Sequence, residues 1–316
     1  MRCYTMKLAN NFTSESPNNQ RLLRLVYLML ALATLLTIAF ASYYYIDRYV
    51  HRGDMSPIEL GVTHLEQAVQ DSPNDPEVRL ALASNYIESG DYTSAISQAQ
   101  QVLDAYPDDL GALFLMGIAR TNLEQYEAAN QSLERYVTLR LEAEDVFPDQ
   151  ILETSLYYLG ENYNSLGQPL KAIENLTKAL SVDHTDADAL YQLGLAYTSN
   201  GQHDQAIDSF QNAVQFVPDF TEAYQAMEAS YTAMNLSSQA DYARGMEAFS
   251  QGKYPLALKY LEGAAPGLTD FAPVYWGLAL VYEKSGNDLK ALENAQHALV
   301  LDPNNILAND ILHRLK

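Results

Sequence analysis

Leu159-Gly160-x-x-Tyr163 and Leu193-Gly194-x-x-Tyr197 lie 34 residues apart, and Ala172 with Ala206 and Ala179 with Ala213 follow at the same spacing. Repetition at a fixed period of this length narrows the fold more than any other feature, because each repeat must be one supersecondary unit stacked on its neighbours. Within the period, small residues recur at the eighth, twentieth and twenty-seventh sites. Gly or Ala there lets two helix axes come close, while the Leu, Tyr and Phe beside them fill the gaps. One helix pair cannot bury that face alone. Stacked pairs can, so stability becomes nearly a sum over units and interfaces, and the ends need polar caps.

Residues 187–220 carry the pattern in full, through Leu193, Gly194, Tyr197, Ala206, Phe210, Ala213 and Pro218. This stretch closely resembles the tetratricopeptide repeat family, with Leu190 standing where Trp is usual. The same template fits 153–186 (Leu159, Gly160, Tyr163, Ala172, Ala179, with His184 in place of Pro) and 76–109 (Leu82, Ala83, Tyr86, Gly90, Ala95, Pro107). It also fits 272–305, through Leu278, Ala279, Tyr282, Gly286, Ala291, Ala298 and Pro303. Residues 110–143 keep Gly117 and Ala129 but place Arg120 and Tyr136 where Tyr and Ala are preferred, and 58–75 read as the second half of a unit through Gly61, Leu65, Ala68 and Pro73. The resemblance implies an all-α fold over 58–316, a right-handed superhelical solenoid of antiparallel helix pairs, with 306–316 as a C-terminal capping helix ending in His313, Arg314 and Lys316.

The array is irregular. From 110 to 153 is 43 residues, nine more than a unit, and from 221 to 272 is 51, one and a half units. The nine extra residues fall near 142–148, read as a lengthened helix ending in an acidic loop. The half unit within 221–271 predicts three helices, near 221–234, 238–250 and 254–264, because Ala243, Gly245, Ala248, Gly252 and Ala257 also show small-residue spacing. Asp75 before Pro76, and Asp186 before Ala187, have the form of helix N-caps.

A 22-residue uncharged stretch occupies 25–46, long enough as a helix to cross the roughly 30 Å hydrocarbon layer of a membrane. Arg2, Lys7, Arg21 and Arg24 precede it and only Arg48 and Arg52 follow, so the basic excess predicts a cytoplasmic tail over 1–24, a juxtamembrane linker over 47–57 and a repeat body on the outer side. Two alternatives stand beside this reading. Ala39-Phe40-Ala41 has the small-x-small form of a signal-peptidase site, which would release the body after Ala41, and the reversed orientation would put the body in the cytoplasm. Cys3, the single cysteine, has no partner in the chain and follows no apolar run, so folding owes nothing to disulfides.

The first 52 residues carry a net charge of +4 and the remainder −25, for −21 overall. A body that acidic is repelled by phosphate backbones, which excludes nucleic acid as a partner. No phosphate loop, cysteine pair or His-x-x-x-His is present, and the histidines (His51, His64, His184, His203, His297, His313) are scattered. The run Asp183-His-Thr-Asp186-Ala-Asp188 lacks the Gly and distant Glu of a calcium loop and reads as a capping turn. No catalytic group, cofactor or metal is expected.

The family resemblance implies instead a concave binding face lined by the second, fifth, ninth, twelfth and thirteenth sites of each unit. The fifth sites are Leu80, Phe114, Tyr157, Tyr191, Gln225 and Trp276, and the charges around them are Glu77, Glu88, Glu161, Asp188, Glu222 and Glu283 against Lys284. Relatives that clamp a carboxylate terminus use Lys and Asn at these sites, whereas here the fifth site is never cationic. The groove is therefore expected to take a basic or neutral protein segment with apolar anchors, docking as a strand or helix. The whole chain reads as a membrane-anchored adaptor supporting assembly of an envelope complex. A regulatory subunit of a membrane enzyme or transporter is the alternative.

Overall fold

The computed structural model describes residues 17–45, 56–142 and 150–315, which form sixteen α-helices and no strand. The chain divides into two units, Met1–Gly61 and Val62–Lys316. The expected features at 1–16 and 46–55, and the acidic loop at 143–149, lie outside the described residues.

The first unit contains α1 (Pro17–Tyr45). Its described large side chains are open: Leu28, Met29, Leu30, Leu32, Leu35, Leu36, Ile38 and Phe40 are 56–71% exposed. Thr34 and Thr37 turn their hydroxyls back to the carbonyls of Leu30 and Thr34, at 3.1 and 2.9 Å, satisfying them within the helix. Among the described residues, no helix is long and apolar enough to cross a membrane, so the span read at 25–46 is not supported by the structure. The side chains of Leu25, Val26, Tyr27, Ala31, Tyr43 and Tyr45, and all of Ile46, lie outside the described set, and the span falls partly on them.

Helix α2 (Pro57–Asp71) begins before the second unit, which continues as α3 (Pro76–Glu88), α4 (Tyr92–Ala105), α5 (Leu110–Asn122), α6 (Tyr126–Glu142), α7 (Gln150–Ser165), α8 (Pro169–Val182), α9 (Ala187–Ser199) and α10 (His203–Phe216). Then come α11 (Thr221–Ala233), α12 (Ser237–Ser250), α13 (Tyr254–Ala264), a 3-10 turn (Ala265–Gly267), α14 (Ala272–Lys284), α15 (Asp288–Leu301) and α16 (Ile306–Leu315). Asp75 caps α3 by accepting from the N–H groups of Glu77 and Val78, and Asp186 caps α9 from Asp188 and Ala189. Each satisfies donors the first turn leaves open.

Why the small residues recur is visible at the helix crossings. A Cβ built on Gly117 would lie 2.5 Å from Leu133 Cγ; on Gly160, 2.3 Å from Leu176 Cγ; on Gly194, 2.3 Å from Phe210 Cε1; on Gly245, 2.7 Å from Leu261 Cγ. In each case the partner stands 16 residues further on. Where the first site is Ala, as at Ala83 and Ala279, the residue 16 further on is the small Ala99 or Ala295, and all four are fully buried. A large residue at the second site goes with Gly at the first, and Ala at the first goes with a small second residue, as close packing demands.

Between units a second contact recurs. Tyr86 donates to Glu66 at 2.6 Å, Tyr163 to Glu134 and Tyr282 to Glu262, while Gln211 donates to Tyr231 at 2.9 Å. The partner lies 20 residues back, except that the nine-residue insertion makes it 29 for Tyr163. Tyr86, Tyr163, Tyr231 and Tyr282, all at the eleventh site, thus strap their helices to the outer helix of the unit before. Hydrogen bonds to a carboxylate are the stronger kind.

The odd-numbered helices pack on one another from unit to unit, α3 on α5, α5 on α7, α7 on α9 and α9 on α11, and form the inner row. After α11 the parity changes: α12 packs on α14 and α14 on α16. Helix α12 therefore serves twice. It pairs with α11 through Arg244, which bridges Glu228 at 2.8 Å across the same 16-residue offset, and with α13 through Gly245 and Leu261.

If the shared volume holds each pair together, Gly160→Ala should destabilise the fold by about 1–3 kcal/mol. Combined with Leu176→Ala, it should cost at least about 1 kcal/mol less than the two single changes added. Thermal or urea unfolding of the three variants measures this, and strict additivity would contradict it.

Candidate functional site

The inner row carries one large side chain per helix at the fifth site. Leu80 on α3, Phe114 on α5, Tyr157 on α7 and Tyr191 on α9 are all half-buried. Leu80 lies against the backbone of α5, its Cδ1 3.0 Å from the place a Cβ of Gly111 would take. Phe114 tilts on Tyr136 (5.9 Å between centroids), Tyr157 meets Tyr158 edge-on (5.4 Å), and Tyr191 rests between Phe220 (5.0 Å) and Phe210 (5.8 Å). Packing holds each ring in place while part of it stays exposed, an arrangement that presents contact area at low entropic cost.

The stripe ends there. On α11 the fifth site is Gln225, exposed and donating to Glu247 at 2.8 Å. On α14 it is Trp276, which the sequence suggested as a groove anchor. Trp276 is only 3% exposed and packs edge-on against Tyr242, 6.3 Å between centroids at 85°. The cause is the extra half unit. It puts α12 in the inner row, and Tyr242, itself fully buried beneath Phe271 at 5.2 Å, closes over the indole.

The charges divide similarly. Glu283 accepts two hydrogen bonds from Arg314, both 2.8 Å, which hold its carboxyl below the usual range and neutralise it. Glu161, half-buried, and Asp188 and Glu222, exposed, have no ion pair among the described residues. Burial, then Asp188, raises the Glu161 carboxyl; burial, then Asp186, raises Asp188; and burial, then Glu161, Asp188 and Asp186, pushes the Tyr157 phenol up. Every neighbouring charge that shifts these groups is negative.

Sequence reasoning passed over the space between α5 and α7. A cavity of about 380 Å³ opens there, lined by Thr121, Asn122, Glu124, Tyr126, Tyr157, Tyr158, Glu161 and Ser165. Thr121, 8% exposed, is held from behind by the buried Asn162, which donates to its hydroxyl at 2.9 Å and to Asn130 at 2.9 Å. A signal was present in the sequence: Glu124 occupies a turn site where other units have Gly90, Gly167, Gly201 and Gly286. Its φ is 59°, in the left-handed region that disfavours a side chain.

In the run 183–188, Asp183 accepts from the backbone N–H and hydroxyl of Thr185 at 2.8 and 2.7 Å, and Asp186 is occupied as the cap of α9. Among the described residues, no three His, Cys, Asp or Glu side chains are grouped to hold a metal ion. Beside this turn, burial and a hydrogen bond to Asp186 push the Glu153 carboxyl up to about 7, with Asp183 adding to the effect. Its buried Oε1 has no donor among the described residues, and a proton on Glu153 allows a hydrogen bond to Asp186 that two ionised carboxylates cannot make. The fold favours the protonated form, hence this contribution is complete below the ordinary carboxyl pKa and is lost as pH rises to about 7. Glu153→Gln, a permanent donor, should raise the thermal midpoint at pH 8 and change it little at pH 5, measured by circular dichroism melts.

Among solved structures, YrrB, described as a TPR protein with an unusual peptide-binding site, matches at 20% identity and a TM-score of 0.51, covering 63% of this chain and 97% of that one. A MamA crystal structure matches at 25% identity and a TM-score of 0.45, covering 60% of this chain and 94% of that one. No curated protein matches the chain. Family profiles described as "Tetratricopeptide repeat" match residues 61–109 and 187–220, and one described as "TPR repeat" matches 160–201. The chain carries tetratricopeptide repeats, and the described part of its second unit is an all-α solenoid of that kind.

Proposed function

We propose that the chain is a membrane-tethered adaptor whose inner helix row binds a segment of another protein. The observation that carries this is the stripe of Leu80, Phe114, Tyr157 and Tyr191, half-buried, on α3, α5, α7 and α9, beside Glu161, Asp188 and Glu222, which have no ion pair among the described residues. Aromatic side chains fixed on one side and open on the other are what interface anchors look like, and the acids choose a basic or neutral segment. YrrB, described as having a peptide-binding site, shares the fold alone.

The tether rests on the uncharged stretch 25–46 and on the open apolar side chains of α1. Eight large side chains left in water would each forgo about 1.5–3 kcal/mol of burial, a penalty that lipid removes. The basic excess before the stretch favours a cytoplasmic N-terminus and an outward-facing repeat body, where the adaptor would hold components of an envelope complex. Tethering also raises the effective concentration of the groove near the membrane, so weak contacts suffice.

In-cell crosslinking of the intact chain beside a Tyr157→Ala, Tyr191→Ala variant, with helicity checked by circular dichroism, tests the groove. A protein captured by the first and lost by the second is expected; equal capture would move the site elsewhere. A C-terminal tag should be cut by protease added to spheroplasts. Resistance would overturn the proposed orientation.

A further inference from the structure

The cavity between α5 and α7 differs from the rest of the inner face in being walled by three tyrosines and two carboxylates at once: Tyr126, Tyr157, Tyr158, Glu124 and Glu161, with the hydroxyl-bearing Thr121 at its edge. Elsewhere the same chain shows what such a combination holds. Lys290 lies 4.7 Å over the Tyr282 ring, 3.1 Å from its hydroxyl and 4.0 Å from Glu262, and Lys171 lies 4.7 Å over Tyr163, whose hydroxyl donates to Glu134. Tyrosine, glutamate and an ammonium group form a recurring set in this solenoid. In the cavity the tyrosines and glutamates are present and no lysine or arginine is among the lining residues.

We propose that this cavity is a pocket for one lysine or arginine side chain of the docked partner, the ring faces and the two carboxylates supplying what Tyr282 and Glu262 supply to Lys290. This rests on the groove reading above and adds the residue type that fixes register. A cation over an aromatic face is attracted by its quadrupole, and a half-desolvated carboxylate such as Glu161 gains more from a partner than an exposed one. Burial and nearby negative charge raise Glu161, which agrees with a carboxylate lacking its cation. Glu124 completes the pocket from a left-handed turn site where Gly is the relaxed choice.

The test uses the full chain in lipid nanodiscs and a random dodecapeptide phage library as probe, selected on the wild type and again on a Glu124→Gly, Glu161→Gln variant. Selected peptides should share apolar positions and one fixed Lys or Arg position. On the variant the apolar positions should persist and the basic one should vanish. A selected peptide should bind the variant about tenfold more weakly, and the wild type should lose the same tenfold when that Lys or Arg becomes Gln. Because Glu124→Gly relaxes the turn, its thermal midpoint should hold or rise, which separates weakened binding from unfolding. Enrichment of apolar peptides with no fixed basic position, or a basic position kept by the variant, would overturn the pocket while leaving the groove. No enrichment on a folded wild type would overturn both.

Discussion

Everything in the repeat body depends on how closely two helices approach where the eighth site of one meets the twenty-fourth site of the next. At Gly160 and Leu176, or Gly194 and Phe210, there is no room for a methyl group. That crossing sets the distance within each pair, the distance sets which residues face inward, and Tyr86, Tyr163 and Tyr282 then strap their pairs to the ones before. The inner face is a by-product of these two contacts. Its side chains, such as Leu80, Phe114 and Tyr191, pack at the edge of the core and are only half-buried.

A solenoid built on one repeated contact can absorb insertions only where that contact is preserved. The nine extra residues before α7 do so, since Tyr163 still reaches Glu134. The half unit at α11 does so differently, by giving α12 two partners on adjacent residues, Arg244 toward Glu228 and Gly245 toward Leu261. The consequence is a change of surface. Before α12 the inner row presents half-open aromatics; after it Trp276 is buried against Tyr242, with the partly buried Phe271 beside them.

This explains what the sequence could and could not convey. Gly117, Gly160, Gly194 and Gly245 were legible because a crossing without Cβ tolerates little else, and Asp75 and Asp186 because a cap is a local matter. The departures at 110–143 were legible as departures but not as solutions: Tyr136 packs on Phe114, and Arg120 reaches the Ala128 carbonyl and Ser132 on α6. The burial of Trp276 depends on Tyr242, 34 residues earlier, whose place in the inner row only the change of parity reveals. The pairing of Glu283 depends on Arg314 in the capping helix, 31 residues on. Both contacts run between units, where a periodic template says least.

The large side chains left half-open on the inner face are on α3, α5, α7 and α9, and the acids beside them, Glu161, Asp188 and Glu222, lie on α7, α9 and α11. The central claim is that this row, and not the outer helices, meets the partner. Hydrogen exchange by mass spectrometry on the full chain in nanodiscs, alone and saturated with a bound partner segment, reads this directly. Slowed exchange on α5, α7 and α9 with α4, α6 and α8 unchanged is the predicted result, and protection confined to α4, α6 and α8 would contradict the account.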